Sequence, residues 1–235
     1  AGAHRDVRAE CRYPERPLDV AAREAACEIQ FGHVMRPTHA SNSWDAAKFE
    51  VCAHRWVDLS EPGFGVAVLN DGRYGHGVQD GGVRVSLLRA AKYPDPTQDH
   101  GRHRCTISVM PHAGGAEGLA TVVREGERLN LPLRPVGRLA RGTTLPAAPL
   151  RLDAALEGSV QLSAVKRADD GSGALVVRFY EALGARSPVT FRLPHRITHA
   201  ARCNALEDEL ESLDTADGIV TLTMRPFELV TMRLS

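Results

Sequence analysis

Apolar and polar residues alternate with a period of two over short runs along most of this 235-residue chain. Such alternation is typical of β-strands that bury one face. In the first half it predicts strands at Val66–Leu69, Val83–Leu87 and Cys105–Met110. We expect the first two to be consecutive antiparallel strands, because the turn residues Asn70-Asp71-Gly72 follow the first. Pro111 should close the third, because proline has no N–H to give to a sheet.

One helix and one linker interrupt this pattern. The segment Ala116–Asn130 places Leu119, Val122, Val123 and Leu129 near one face of a helix. From Leu133 to Leu150 the chain is rich in Pro, Gly, Arg and Ala, which is typical of a linker.

After the linker, the pattern predicts a small, separate C-terminal β-sandwich. The segment Leu206–Leu213 is rich in Glu and is compatible with either a helical turn or a charged edge strand. Turns are expected at Asp169–Gly173 and at Asp217-Gly218. The five predicted strands are Val160–Val165, Leu175–Tyr180, Val189–Leu193, Ile219–Met224 and Leu229–Leu234.

Composition excludes some classes of protein. Lys and Arg number 29, as do Asp and Glu, so the formal charge of +0 disfavours binding to nucleic acid or to an anionic membrane. No apolar run approaches the roughly 18 residues of a membrane span, and residues 1–10 are polar, unlike a signal peptide. We therefore expect a soluble chain. The five cysteines form no C-x-x-C pair, which favours small buried side chains in a reducing cytosol over a disulfide framework.

The sequence offers no self-sufficient catalytic set. There is no G-x-S-x-G elbow, no P-loop and no dinucleotide-binding glycine pattern. His195 and His199 are four residues apart, but in a strand-rich region that spacing is about 13 Å, so a surface or loop pair is expected. His100 and His103 lie in a polar loop and lack an evident third ligand, so loop hydrogen bonding is expected. Among the loop carboxylates Asp71, Asp95 and Asp99, each taken alone is better explained as a turn former.

A chain of specific motifs resembles the C-terminal region of glycoside hydrolase family 38 α-mannosidases of the bacterial and cytosolic type. The resemblance covers nearly the whole chain. The motifs that carry it are Ile29–Val34 (IQFGHV), Arg36–His39 (RPTH), Ser43–Asp45 (SWD), Phe49–Val51 (FEV), Ala53–Glu61 (AHRWVDLSE), Leu69–Gly75 (LNDGRYG), Leu87–Arg89 (LLR), Tyr93–Pro96 (YPDP) and Arg225–Thr231 (RPFELVT).

The resemblance implies an all-β fold and a role in a larger enzyme. It implies a large antiparallel β-supersandwich, similar to galactose-mutarotase-like domains, in residues 1–150, followed by a small C-terminal β-sandwich in residues 151–235. The family's catalytic aspartate and zinc ligands belong to an N-terminal domain that precedes these residues, so no catalytic residue, metal ligand or cofactor is expected in this chain. The implied partners are that catalytic domain and mannose-containing oligosaccharides, and the implied location is the cytoplasm.

The loops of this region can contribute to the substrate cleft of such an enzyme. The candidates combine hydrogen-bonding groups for sugar hydroxyls with aromatic faces for a pyranose ring. For Asn70 to Tyr74 the alternative is a hairpin turn and its support. Trp56, which also suits a sugar platform, is better explained by core packing, because it lies in a strand pattern. The candidate substrate-binding residues are Asn70, Asp71, Arg73, Tyr74, Arg89 and Tyr93.

Three functional hypotheses follow. The chain is an accessory region of a retaining, zinc-dependent α-mannosidase, an autonomous mannose-binding module, or a structural domain that mediates homo-oligomer formation.

Overall fold

The computed structural model describes residues 18–79, 81–91, 93–134, 137, 150–192 and 197–235, and the backbone of residues 9–13. They form two compact units, Ala1–Pro132 and Leu133–Ser235, called the N-terminal and C-terminal units below. Both consist mainly of antiparallel strands, so the all-β class is confirmed. The predicted boundary at residue 150 stays a prediction, since most residues between the two positions lie outside the described ranges.

The N-terminal unit contains two sheets and a long helix. The five-stranded sheet has the order β3-β2-β5-β6-β9, and the four-stranded sheet has the order β1-β8-β7-β4. The elements are β1 (Ala9–Tyr13), β2 (Glu24–Ile29), β3 (Gly32–Pro37), α1 (Ser43–Ala46), β4 (Val51–Cys52), β5 (Trp56–Glu61), β6 (Phe64–Asn70), β7 (Gly75–Gly77), β8 (Val83–Leu88), β9 (Ile107–His112) and α2 (Ala116–Asn130).

The two sheets of this unit enclose one apolar core. Val57 and Val68 from the five-stranded sheet and Val83 and Val85 from the four-stranded sheet belong to the same buried cluster. Helix α2 covers the other face of the five-stranded sheet, where it contacts β5, β6 and β9. Because the central strands are covered on both sides, residues 65–70 of β6 are all buried, and this strand reads as an apolar run rather than a strict alternation.

Close contact between α2 and the sheet depends on a small residue and on an ion cluster. A Cβ on Gly126 would lie 2.7 Å from Cδ1 of the buried Trp56, so only glycine permits this approach. Trp56 is therefore a core residue, as predicted. The Arg55 guanidinium lies between the carboxylates of Glu28 and Glu127 and links β2 to α2. Glu28 is buried, and the backbone N–H of Arg55 also donates to it, so its charge is compensated where water is excluded.

The turn after β6 does not make the predicted hairpin. Strand β6 pairs with β5 and β9, whereas β8 pairs with β1 and β7 in the other sheet. The expectation of consecutive antiparallel strands was therefore wrong. The buried Asn70 side chain accepts from the N–H groups of Gly72 and Arg73 at 2.9 and 2.5 Å, and this turn carries the chain from one sheet to the other.

Two further predictions for this unit can be assessed. Helix α2 has the predicted bounds. Strand β9 begins at Ile107 and continues through Pro111, so the expectation that this proline closes the strand was wrong. Strand β9 is at the edge of its sheet, where a proline is tolerated because one side of the strand needs no partner.

The C-terminal unit is a β-sandwich. A three-stranded sheet has the order β10-β13-β16, and a five-stranded sheet has the order β11-β12-β17-β14-β15. Phe179 and Phe191, one from each sheet, pack with ring centroids 4.5 Å apart in the shared core. The elements are β10 (Arg151–Ala154), β11 (Val160–Arg167), β12 (Leu175–Glu181), β13 (Ser187–Arg192), β14 (Ala200–Cys203), β15 (Glu209–Leu213), a 3₁₀ turn (Ala216–Gly218), β16 (Ile219–Met224) and β17 (Leu229–Leu234).

All five strands predicted for this unit are present. Strands β10 and β14 were not predicted, because each is only four residues long and lacks a run of β-branched residues. The open question about Leu206–Leu213 is answered by β15, a charged strand at the sheet edge. Exposed charges at an edge discourage pairing with other chains.

We expect Asn70→Ala to destabilise the N-terminal unit by roughly 2–4 kcal/mol, because it removes the three hydrogen bonds that this fully buried side chain makes with the His54 carbonyl and with the N–H groups of Gly72 and Arg73. Asn204→Ala is the matched control, since Asn204 also accepts two backbone N–H bonds, at 2.9 and 3.0 Å, but in an exposed turn. Urea unfolding of the full chain measures both losses. Equal losses would contradict a special role for the buried amide.

Candidate functional site

A cavity of about 590 Å³ opens in the N-terminal unit beside β7 and β8. We call it the loop cavity. It brings together three of the six predicted substrate-binding residues, Arg73, Tyr74 and Arg89. Its lining consists of residues 49–50, 72–75 and 86–89 with Asp99 and His103.

The other three predicted residues do not line the cavity. Asn70 is fully buried and builds the turn that presents Arg73 and Tyr74. Asp71 is exposed and accepts a 2.8 Å bond from the N–H of Thr106. Burial acts to raise the pKa of Asp71, but the bonds from Thr106 outweigh it and the pKa is lowered. Tyr93 is 88% exposed outside the lining. Contact of these three with substrate stays a prediction.

One wall of the cavity carries the exposed carboxylate of Glu50. Glu50 Oε1 accepts a 2.5 Å hydrogen bond from Ser86 Oγ on β8. A Cβ on Gly75 of β7 would overlap the same oxygen, so glycine is needed for the carboxylate to lie against this backbone. Three segments of the four-stranded sheet therefore converge on Glu50.

Asp99 and His103, in the loop after β8, also line the cavity. Asp99 Oδ2 accepts from the N–H of Ala90 at 3.2 Å, and a 2.8 Å hydrogen bond joins His103 Nε2 to the Asp99 carbonyl oxygen. Loop hydrogen bonding by His103 is thus confirmed. Asp95 accepts from the N–H and hydroxyl of Thr97, which lowers its pKa and confirms it as a turn former.

Aromatic rings flank these polar groups. Tyr74 is 57% exposed, and its ring packs on His54 at a centroid distance of 4.9 Å. Phe49, also in the lining, is 56% exposed. Exposed rings beside directional polar groups suit a ligand with one apolar and one hydroxylated face, such as a pyranose.

Behind the cavity, His76 on β7 is completely buried. Burial lowers its pKa from 6.5 to about 4, so the imidazole is neutral at pH 7. It supports the turn from within, where its Nε2 lies 3.4 Å from Asn70 Nδ2.

A second polar cluster lies on the face of the five-stranded sheet that α2 covers. Asp58 accepts from Ser60 Oγ at 2.6 Å and forms a 2.8 Å pair with His112 Nε2, which raises the pKa of His112. Ser60 and His112 both bond to Asp58, so the histidine is not placed as a base for the serine. Asp58 and His112 are almost fully buried, and the cluster is a structural ion pair.

Among the described residues, no group of three or more His, Cys, Asp or Glu side chains could hold a metal ion. His195 lies outside the described residues, while His199 Nε2 is 3.4 Å from Glu209 Oε2. None of the described helices is long and apolar enough to cross a membrane.

Family models match both units. The model of the glycosyl hydrolases family 38 C-terminal domain matches residues 13–97, and the family's C-terminal beta sandwich domain matches residues 159–232. The chain belongs to glycosyl hydrolase family 38. The family 38 C-terminal match includes Glu50, Arg73, Tyr74, Ser86 and Arg89, and ends before Asp99 and His103.

The chain is similar to part of several longer proteins that are named as α-mannosidases. The chain is 41% identical to human Alpha-mannosidase 2C1 over 224 residues, which cover 94% of the chain and 21% of that protein. It is 38% identical to Alpha-mannosidase G of Dictyostelium discoideum, over 91% of the chain and 20% of the relative. It is 30% identical to Alpha-mannosidase of Saccharomyces cerevisiae, over 94% of the chain and 22% of the relative. The chain thus spans about a fifth of the length of these relatives.

A solved structure shows the same fold. An alpha-mannosidase from Enterococcus faecalis V583 superposes with a TM-score of 0.72 at 20% identity, covering 98% of this chain and 26% of that one.

The free cysteines only partly fit the sequence prediction. Cys27 and Cys203 are buried, as expected, and burial raises the pKa of Cys27 to about 11. Cys52 is exposed and Cys105 half-buried, so the prediction was wrong for these two. Cys52 is the last residue of the two-residue strand β4, and Cys105 lies in the loop before β9, so neither is in a strand long enough for period-two reasoning to resolve its burial. The side chain of Cys11 is outside the described residues.

Sequence reasoning missed Glu50 and Ser86 as cavity residues. Glu50 stands in the motif Phe49–Val51 that supports the family resemblance, which was the available signal. Asp99 and His103 were predicted only as loop formers. Their meeting with Glu50 depends on pairing between distant strands.

We expect acid to destabilise the protein through His76. Between pH 6.5 and about 4 the unfolded state binds more protons than the folded state, so the free energy of unfolding falls as the pH falls through this window. Between pH 7 and pH 4.5 this histidine should lower the free energy of unfolding by roughly 2–3 kcal/mol. Urea unfolding at pH 7 and 4.5 should show a larger loss for the wild type than for His76→Phe. The exposed control His100→Phe should behave as the wild type does; an equal loss in all three proteins would exclude His76 as the cause.

Proposed function

We propose that this chain is a non-catalytic C-terminal region of a retaining, zinc-dependent, cytoplasmic α-mannosidase that acts on mannose-terminated oligosaccharides. The observation that carries the proposal is the loop cavity, which gathers Arg73, Tyr74 and Arg89 within a family 38 domain. Relatives named as α-mannosidases support the choice of sugar.

The proposal divides the work between domains. Bond cleavage belongs to a catalytic domain elsewhere in the protein, where zinc would supply contacts to sugar hydroxyls. This chain would contribute additional contacts to the same substrate. The guanidinium groups of Arg73 and Arg89 would donate to hydroxyls, and the exposed ring of Tyr74 would pack on the apolar face of the sugar.

The full-length protein should hydrolyse an aryl α-mannoside and lose this activity on removal of zinc by a chelator. The chain alone should not hydrolyse it, because the proposal assigns bond cleavage to the catalytic domain. A well-folded, zinc-loaded full-length protein that is inert on α-mannosides would refute the proposal. Turnover by the isolated chain would refute the division of labour.

Contact with substrate can be tested by matched pairs of variants in the full-length enzyme. Tyr74→Ala and Arg89→Ala should raise KM roughly tenfold, since each removes one direct contact. The controls Phe64→Ala and Arg102→Ala change exposed residues outside the cavity lining and should leave KM unchanged. An unchanged KM in the first pair would remove these residues from the substrate site.

A second candidate function is autonomous mannose binding. The location of the whole loop cavity within the N-terminal unit favours it, because no other domain is needed to form this lining. Calorimetric titration of the isolated chain with mannose and mannobiose distinguishes an autonomous module from an accessory region. Millimolar binding that is lost in Arg89→Ala supports the module. Absence of binding by the isolated chain supports a site that needs the catalytic domain.

A further inference from the structure

His112, the last residue of β9, lies between two hydrogen-bond acceptors. Its Nε2 is 2.8 Å from Asp58 Oδ1, and its Nδ1 is 2.8 Å from the carbonyl oxygen of Ala113. An ionised carboxylate and a carbonyl oxygen accept hydrogen bonds and cannot donate them, so each ring nitrogen has to supply a proton. The two bonds therefore exist together when the ring is the imidazolium cation.

The ring is enclosed by backbone on neighbouring elements. The side chain of His112 is 5% exposed and that of Asp58 is 4% exposed. A Cβ on Gly65 of β6 would lie 2.5 Å from His112 Cε1, and a Cβ on Gly118 of α2 would overlap Nδ1 and the Ala113 carbonyl oxygen. In the described part of the chain, the charged group that faces the ring is thus Asp58 of β5, since β6 and α2 present glycines to it. Water has little room to replace either bond.

The bond to Ala113 holds the segment that begins α2. This segment leads directly from β9 into the helix, and its last residue, the N-cap Gly115, makes no side-chain hydrogen bond to the first turn. A Cβ on Gly114 would overlap the carbonyl oxygen of Glu61, so the segment also packs against the end of β5. His112 is therefore a side chain that ties the start of α2 to the sheet.

We propose that His112 is a proton-dependent latch: as the imidazolium it joins Ala113 to Asp58 and holds the start of α2 on the sheet, and its deprotonation releases the first turn of the helix. A neutral imidazole has a single N–H, so one of the two acceptors then faces a nitrogen lone pair. A buried acceptor that has lost its donor is costly, and movement of Ala113 and the first turn away from the ring lets water take the place of the lost donor.

The two states determine the direction of the pH dependence. The hydrogen bond to Asp58 raises the pKa of His112 above its ordinary value of 6.5, against the effect of burial. In the opened state water reaches the ring, and its pKa returns toward that value. The stability of the closed helix start is therefore fully present below pH 6.5 and falls as the pH rises through the raised pKa. His76 acts in the opposite direction, on the acid side.

Hydrogen exchange of the full-length protein at about pH 6 and about pH 9, corrected for the intrinsic exchange rate, measures this opening. We expect the protection of amides 119–123 to fall roughly fivefold to tenfold at the higher pH, while the amides of β17 keep theirs. Asp58→Asn keeps the side-chain shape and removes the charge, so protection of 119–123 should already be reduced at the lower pH. The control His199→Gln removes an exposed histidine that also lies beside a carboxylate, and it should behave as the wild type does.

Nitrogen NMR of the chain labelled at histidine tests the charge state without a variant. At about pH 7 the His112 ring should carry protons on both nitrogens, and this signal should be missing in His112→Gln. A neutral His112 ring at that pH overturns the proposal. Protection of 119–123 that is independent of pH in the wild type, or that falls equally throughout the N-terminal unit, also overturns it. If His112→Gln does not fold, the wild type and Asp58→Asn still decide between these outcomes.

Discussion

The N-terminal unit depends on the hydrogen bonds of one buried amide, Asn70. Its side chain donates to the carbonyl of His54 and accepts from the backbone that follows it, and its own carbonyl accepts a 3.0 Å bond from Asn130 of α2. The end of β6, the crossing between sheets and the end of the helix therefore meet at one residue. Because the amide is excluded from water, each of these bonds is needed to avoid an unsatisfied buried group. This requirement restricts the backbone conformation of the turn.

Local sequence patterns predicted where the strands and helices lie better than they predicted which strands pair with each other. The spacing of apolar residues in 116–130 predicts α2, and the alternation of apolar and polar residues predicts β16 and β17. Nothing local to β6 and β8 tells that they belong to different sheets, because that choice depends on the buried environment of Asn70. Motif resemblance supplied Arg73, Tyr74 and Arg89, whereas the meeting of Glu50 with Ser86 required the strand register to be known.

The two units reach the same architecture with different support. The N-terminal unit adds a helix and buried charged pairs to its apolar core, whereas the C-terminal sandwich relies on paired aromatics and on Glu181. This buried carboxylate accepts from the N–H groups of Leu183, Gly184 and Phe227 and so closes two turns. Family membership extends over both units, but the loop cavity is lined by residues of the N-terminal unit.

The absence of a side chain at Gly126 has a consequence far from that position. Helix α2 packs directly on the Trp56 indole at Gly126. Four residues later, the Asn130 side chain donates a hydrogen bond to the Asn70 carbonyl, at the start of the turn that carries Arg73 and Tyr74. A methyl group at residue 126 would displace the helix from the sheet, and Asn130 would transmit this displacement to the turn. The geometry of the loop cavity can therefore be altered by a substitution at none of its lining residues, because α2 is hydrogen-bonded to a loop more than 50 residues earlier in the chain.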